Sequence, residues 1–172
     1  MHLKEPEAPA STDSIVTSTS SDVTLSQSAT PPLWHPISEV QCREFYNETY
    51  CRVGMKTFDG LSVRFAPRQF DHAFFHSTGK TEFCIPRAER VCWIGPLLAD
   101  PRATLAYGYI KKKKRYTRER RVAIWPERRY VMIIIIERRD PQCAHFLTGF
   151  YVDGPKWKPT LDKLVASPQW TA

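Results

Sequence analysis

The spacing of apolar residues changes period several times along this chain, and each change marks an element. Over residues 40–50 the spacing suits a short helix with Phe45 and Tyr46 turned inward. Residues 51–58 and 61–65 then alternate, with Leu61, Val63 and Phe65 on one face. Asp59-Gly60 lies between these runs, a pair suited to a two-residue hairpin turn in which both positions take positive φ. Pro67 opens the next segment, where its missing N–H costs nothing. The spacing predicts a helix over 68–77, with Phe70, Ala73 and Phe74 on the apolar side and His72 and His76 four apart on one face. A second helix, over 87–94 and again opened by a proline, turns Ala88, Val91 and Cys92 inward. Gly95-Pro96 should bend or interrupt it, and Asp100-Pro101 should end it.

From residue 104 the pattern becomes that of strands. Residues 104–111 and 116–125 alternate loosely, 130–136 are continuously apolar as in a central strand, and 146–152 form the last run. The short connections favour an antiparallel meander. Residues 160–166 predict a closing helix capped by Thr160, with Leu161, Leu164 and Val165 as its apolar side. The expected fold class is α+β. Its parts in chain order are an N-terminal disordered tail, a β-hairpin, two helices packed on a four-stranded antiparallel sheet, and a short C-terminal helix.

Composition refines the domain boundaries. The 172 residues suffice for one domain, and residues 8–32 are dominated by Ala, Pro, Ser and Thr. Such a stretch buries too little apolar surface to offset the entropy of ordering it. Residues 1–32 are therefore expected to be a disordered tail and 33–172 the folded domain. The start lacks the basic and apolar regions of a signal peptide. No apolar run approaches the ~18 residues of a membrane helix. Five cysteines without a Cys-x-x-Cys pair suggest reduced thiols and a cytoplasmic setting.

Charge then points to a partner. The tail holds one Lys against Glu5, Glu7, Asp13 and Asp22, a net −3, so the chain's +7 leaves +10 on the remaining 140 residues. Much of the excess is local, in Lys111, Lys112, Lys113, Lys114, Arg115, Arg118, Arg120 and Arg121. Tyr107, Tyr109, Tyr116 and Trp125 are interleaved with these cations. Cations for phosphates and aromatic faces for splayed bases are what binding of single-stranded RNA needs, whereas a solvated hairpin tip is the simpler alternative.

Two further groups could carry chemistry. His72 or His76 could act as base or acid in metal-independent cleavage of RNA, with Arg87 and Arg90 as a phosphate clamp. A core or merely exposed role for each histidine is the competing explanation. The same pair has zinc-ligand spacing, and a third ligand would have to be Cys84 or His145, but no second motif fixes a metal site. Thr148 and Tyr151 could offer a hydroxyl to a phosphate oxygen. Only one of them can face a cleft, since residues three apart on a strand point to opposite faces.

The order of these motifs runs from Phe70-Asp-His-Ala-Phe-Phe-His76 through Arg87-Ala-Glu-Arg-Val-Cys-Trp-Ile and Leu97-Leu-Ala-Asp-Pro101. It continues through Tyr130-Val-Met-Ile-Ile-Ile-Ile to Phe146-Leu-Thr-Gly-Phe-Tyr-Val152. Over residues 53–152 this resembles the phage-associated branch of the barnase–EndoU–colicin–RelE-like (BECR fold) nucleases. The resemblance implies two helices on a four-stranded antiparallel sheet and a metal-independent endoribonuclease that needs no cofactor. Cleavage would proceed through 2′-OH attack and leave a 2′,3′-cyclic phosphate. The family's helix histidine falls on His72 or His76, its arginine on Arg87 or Arg90, and its strand hydroxyl on Thr148 or Tyr151. The residue 111–114 run and the Pro96 break are not features of that pattern. The partners expected are RNA, for example tRNA or mRNA, and an acidic antitoxin or immunity protein. The alternative is a non-catalytic nucleic-acid-binding module of the same fold.

Overall fold

The structure, a computed structural model, describes residues 30–35, 38–76, 79 and 81–171. Contacts divide the chain after Thr30, and all that follows concerns the unit Pro31–Ala172. The tail expected over residues 1–32 lies, up to residue 29, outside the described residues. Helix α1 spans Glu39–Tyr46 and runs on as a π-turn over Asn47–Cys51. Ser38 caps it by accepting from the Gln41 N–H at 3.3 Å. Strands β1 Met55–Lys56 and β2 Ser62–Arg64 follow, then helices α2 Gln69–Phe74, α3 Ile85–Ala88 and α4 Ile94–Ala99. Strands β3 Thr104–Ile110, β4 Arg115–Trp125, β5 Tyr130–Ile136 and β6 Cys143–Tyr151 form the expected antiparallel meander, and α5 Trp157–Val165 closes the chain. The fold class is α+β.

The sheet is larger than four strands. The hairpin adds to it, because β2 pairs in parallel with β6 through Val63 opposite Ala144, giving the order β1-β2-β6-β5-β4-β3. The hairpin is also looser than a two-residue turn. Met55 pairs with Val63 and Lys56 with Ser62, leaving residues 57–61 as the connection. Gly60 takes positive φ (91°) but Asp59 does not. The Asp59 carboxylate is instead engaged by the Thr57 hydroxyl and by Arg121.

The helices also break elsewhere than the pattern suggests. The chain turns extended at Phe75 (φ −113°, ψ 155°), because Phe75 bridges to Phe83 and the two rings pack at 5.7 Å. Between α3 and α4 the break falls at Glu89 and Arg90, not at Gly95-Pro96. Pro96 instead sits in the first turn of α4, where no N–H is required. Gly95 lies under Met55, whose Cε would be 2.9 Å from any added Cβ. Helix α5 begins at Trp157, ahead of the expected Thr160 cap.

The helices α1 to α4 cover one face of the sheet. There the Tyr46 ring packs edge-on against Phe70 and Phe74, at 5.7 and 5.8 Å, above Phe146. Each such ring contributes about 2 kcal/mol by burial alone. Helix α5 covers part of the opposite face, setting Leu161 against Val122, Ile124 and Val131. Among the described residues no helix is long and apolar enough to cross a membrane. All five cysteines are free thiols, and burial pushes that of Cys42 up to about 12.

Candidate nucleic-acid interface

The β3–β4 hairpin concentrates the cations at its tip. Lys111–Lys113 make one 3₁₀ turn, and Lys114 closes it in the left-handed region (φ 50°). Residues 111–114 and Arg115 are exposed, as is Arg118 further along β4. Directly below the turn Tyr109 and Tyr116 are cross-strand partners with ring centroids 5.2 Å apart, and they stay 45% and 39% exposed. Exposed aromatic rings under a lysine turn form a surface on which a base can stack while phosphates meet the ammonium groups.

The rest of the basic block is committed to the fold. Arg121 is only 2% exposed and makes a forked ion pair with Asp59, at 2.8 to 3.1 Å. Burial alone would raise the Asp59 carboxyl, but hydrogen bonds from Arg121 and Thr57 and the guanidinium charge hold it below its ordinary value. Arg120 folds back over Gly108, where an added Cβ would meet its Cγ at 2.2 Å, and donates to the Tyr109 carbonyl at 3.3 Å. Trp125 is buried and donates its indole N–H to Asp100 at 2.7 Å. Of the sequence-expected contact residues, the fold thus exposes Lys111, Lys112, Lys113, Lys114, Arg115, Tyr116 and Arg118 and engages Arg120 and Arg121 in its own contacts.

The expected cleavage residues are placed less uniformly. His72 and His76 are both exposed, but α2 ends at Phe74, so the two rings do not share a helical face. Arg87 donates through Nη1 to the carbonyls of Ala73 and Phe75 at 3.2 and 3.3 Å, satisfying the orphan acceptors at the end of α2. That contact brings Arg87 to the segment carrying both histidines. Arg90 lies over the Tyr151 ring at 4.1 Å and the Trp93 ring at 5.2 Å, with Nη1 on the Pro86 carbonyl at 2.7 Å. Its Nε is buried without a partner.

A bulge decides between the two hydroxyls. Ile133 faces Thr148, but Ile134 faces Phe146, so Leu147 is extra and the alternation along β6 shifts there. Gln69 donates to the Phe146 carbonyl at this point, at 3.3 Å. Phe146 and Tyr151 consequently point to the helix-covered side, while Thr148 pairs with Ile133 of the α5 side and is 9% exposed. Tyr151 shares Arg90's surroundings and Thr148 does not. Among the described residues no three of His, Cys, Asp and Glu come close enough together to hold a metal ion.

Residues that the strand and charge patterns did not single out line a cavity of about 630 Å³ beside the basic strand, among them Trp170, Glu119, Glu137 and Arg138. Their signal is faint in sequence, since Trp170 is a lone aromatic in a short polar tail. The searches add no relative to this picture: no protein-family model, curated protein or solved structure matches the chain.

Proposed function

We propose that this protein binds single-stranded RNA through the β3–β4 hairpin. The observation that carries this is the exposed Tyr109–Tyr116 pair set directly beneath residues 111–114 and flanked by Arg115 and Arg118. Phosphates meet the cations, and a splayed base meets the tyrosine faces. The test is a fluorescence-anisotropy titration of a labelled single-stranded RNA across salt concentrations. Binding should weaken steeply with salt. Replacing all four lysines by Ser should flatten the log–log slope by as much as about 3, from about 0.7 per phosphate contact. Salt-independent binding, or an unchanged slope in the variant, would refute the reading.

A second reading is metal-independent cleavage of the bound RNA. It is favoured by Arg87, whose contacts with Ala73 and Phe75 place a guanidinium beside the segment of His72 and His76. In this reading one imidazole takes the 2′-OH proton and the product carries a 2′,3′-cyclic phosphate. Arg87 and Arg90 are occupied by carbonyls and rings, which favours binding without cleavage. Incubation of RNA with the protein in EDTA decides the point. Cyclic-phosphate ends that vanish in His72→Ala or His76→Ala establish cleavage, and intact RNA after prolonged incubation rejects it.

A further inference from the structure

The cavity of about 630 Å³ beside β4 has the size of a ligand site. Leu61 and Ile136 give it apolar lining, Tyr107 and Trp170 are its aromatic lining, and Arg118 joins it to the basic strand. The aromatic part is fixed in advance. The Tyr107 N–H donates to the Pro168 carbonyl at 2.8 Å, and the Trp170 N–H donates to the Leu105 carbonyl at 3.0 Å. These bonds lay the C-terminal segment along the edge of β3, with the Tyr107 and Trp170 rings 5.0 Å apart. The Arg121 guanidinium, anchored by Asp59, lies 5.7 Å from the Trp170 ring. A stacking surface held this way loses little entropy when a ring lands on it.

Of the three carboxylates lining the cavity, Asp59 is committed to Arg121 and Thr57, and Glu119 and Glu137 supply the polar selection. Glu119 Oε1 accepts from Arg138 Nε at 2.6 Å, and Glu137 Oε1 is 3.0 Å from His145 Nε2 and 3.4 Å from Arg64 Nη1. These contacts offset their charge, so they do not repel a polyanion as bare carboxylates would. Each retains Oε2 as an acceptor, and an ionised carboxylate can only accept. The ligand must therefore be flat, must carry N–H donors on its edge and must be joined to a phosphate that Arg118 can meet. We infer that this cavity takes one unstacked, amine-bearing nucleobase of the bound RNA, stacked on Trp170 with its amine on Glu119 or Glu137. Uracil, which has no exocyclic amine and whose single edge N–H lies between two carbonyl oxygens that these carboxylates repel, is disfavoured. The inference rests on the hairpin being an RNA-binding element and adds base selection to it.

The experiment compares a labelled U-hexamer with hexamers in which one central U is replaced by C, A or G. At least one amine-bearing hexamer should bind the wild-type protein about tenfold more tightly than the U-hexamer. Trp170→Ala should remove about tenfold of that affinity, whereas Trp170→Phe should keep most of it. Glu119→Gln combined with Glu137→Gln should abolish the preference while leaving binding of the U-hexamer in place. Circular dichroism and thermal melts establish that each variant is folded. Equal affinity of the wild type for all four hexamers overturns the inference, and so does a preference that survives Trp170→Ala or the double Gln variant. If that occurs while binding still weakens with salt and depends on residues 111–114, the hairpin reading stands and the pocket alone falls. A base preference that persists when the lysine variant binds with unchanged salt slope supports the pocket and overturns the hairpin.

Discussion

Two hairpin tips in this sheet share one backbone and differ in what becomes of their charge. After β3, Lys111–Lys113 make a 3₁₀ turn and Lys114 closes it at φ 50°; after β4, Pro126–Arg128 do the same and Arg129 closes at φ 49°. Each turn is pinned by one bond, from the Lys114 N–H to the Lys111 carbonyl at 3.2 Å and from the Arg129 N–H to the Pro126 carbonyl at 3.1 Å. At the second tip Arg128 lies 4.2 Å from the Trp125 ring and Arg129 lies 3.7 Å from the Trp157 ring. The four lysines of the first tip are exposed. Cationic tips of the same shape thus divide into one that packs on its own core and one left exposed. Local sequence charge does not separate them; the neighbouring aromatic residues do.

The largest effect is expected at neither tip but at the buried end of the same basic block. Asp59→Ala should destabilise the protein by about 3 kcal/mol in chemical denaturation, because it leaves the buried Arg121 guanidinium without its carboxylate. Since the Asp59 carboxyl is held below its ordinary value, its contribution is complete above about pH 4 and is lost as the pH falls through the folded-state value. The gap between wild type and variant should close over that acid range.

Replacing residues 111–114 by Ser should lower RNA affinity by about tenfold or more at low salt, with the melting temperature unchanged. Arg129→Ala should do the reverse. It costs about 1 kcal/mol of stability through the lost stack on Trp157 and leaves RNA affinity within about twofold. Equal effects of the two substitutions on binding would erase the distinction between the tips.

The smallest expected effect isolates the backbone. Lys114→Gly should stabilise by about 0.5 to 1 kcal/mol, since glycine takes the left-handed position without Cβ strain. Arg129→Gly gains the same relief but loses its stack, so its net change should be near zero. Thermal melts of the two variants compare the tips with the turn geometry held constant.

The meander and the burial of Phe70, Ala73 and Phe74 were legible because both rest on local period. What escaped depends on contacts far apart in sequence. The early end of α2 follows from Phe75 meeting Phe83, and the parallel pairing of β2 with β6 joins segments some 80 residues apart. Arg121 looks like its basic neighbours in sequence, yet Asp59, 62 residues earlier, takes it into the core. The bulge at Leu147 defeats simple alternation by putting Phe146 and Thr148 on opposite faces. The lysine run with its tyrosines was legible because an exposed cluster depends on no distant partner. The lining of the cavity was not, because Trp170 reaches it only through pairing of the C-terminal segment with β3.

The division between the two tips is tested most directly by photo-crosslinking a bound single-stranded RNA and mapping the modified peptides by mass spectrometry. Crosslinks should fall on Tyr109, Tyr116 and residues 111–115 and should disappear at high salt. Crosslinks confined to residues 126–130, or spread evenly over the surface, would contradict the assignment of RNA binding to the first hairpin.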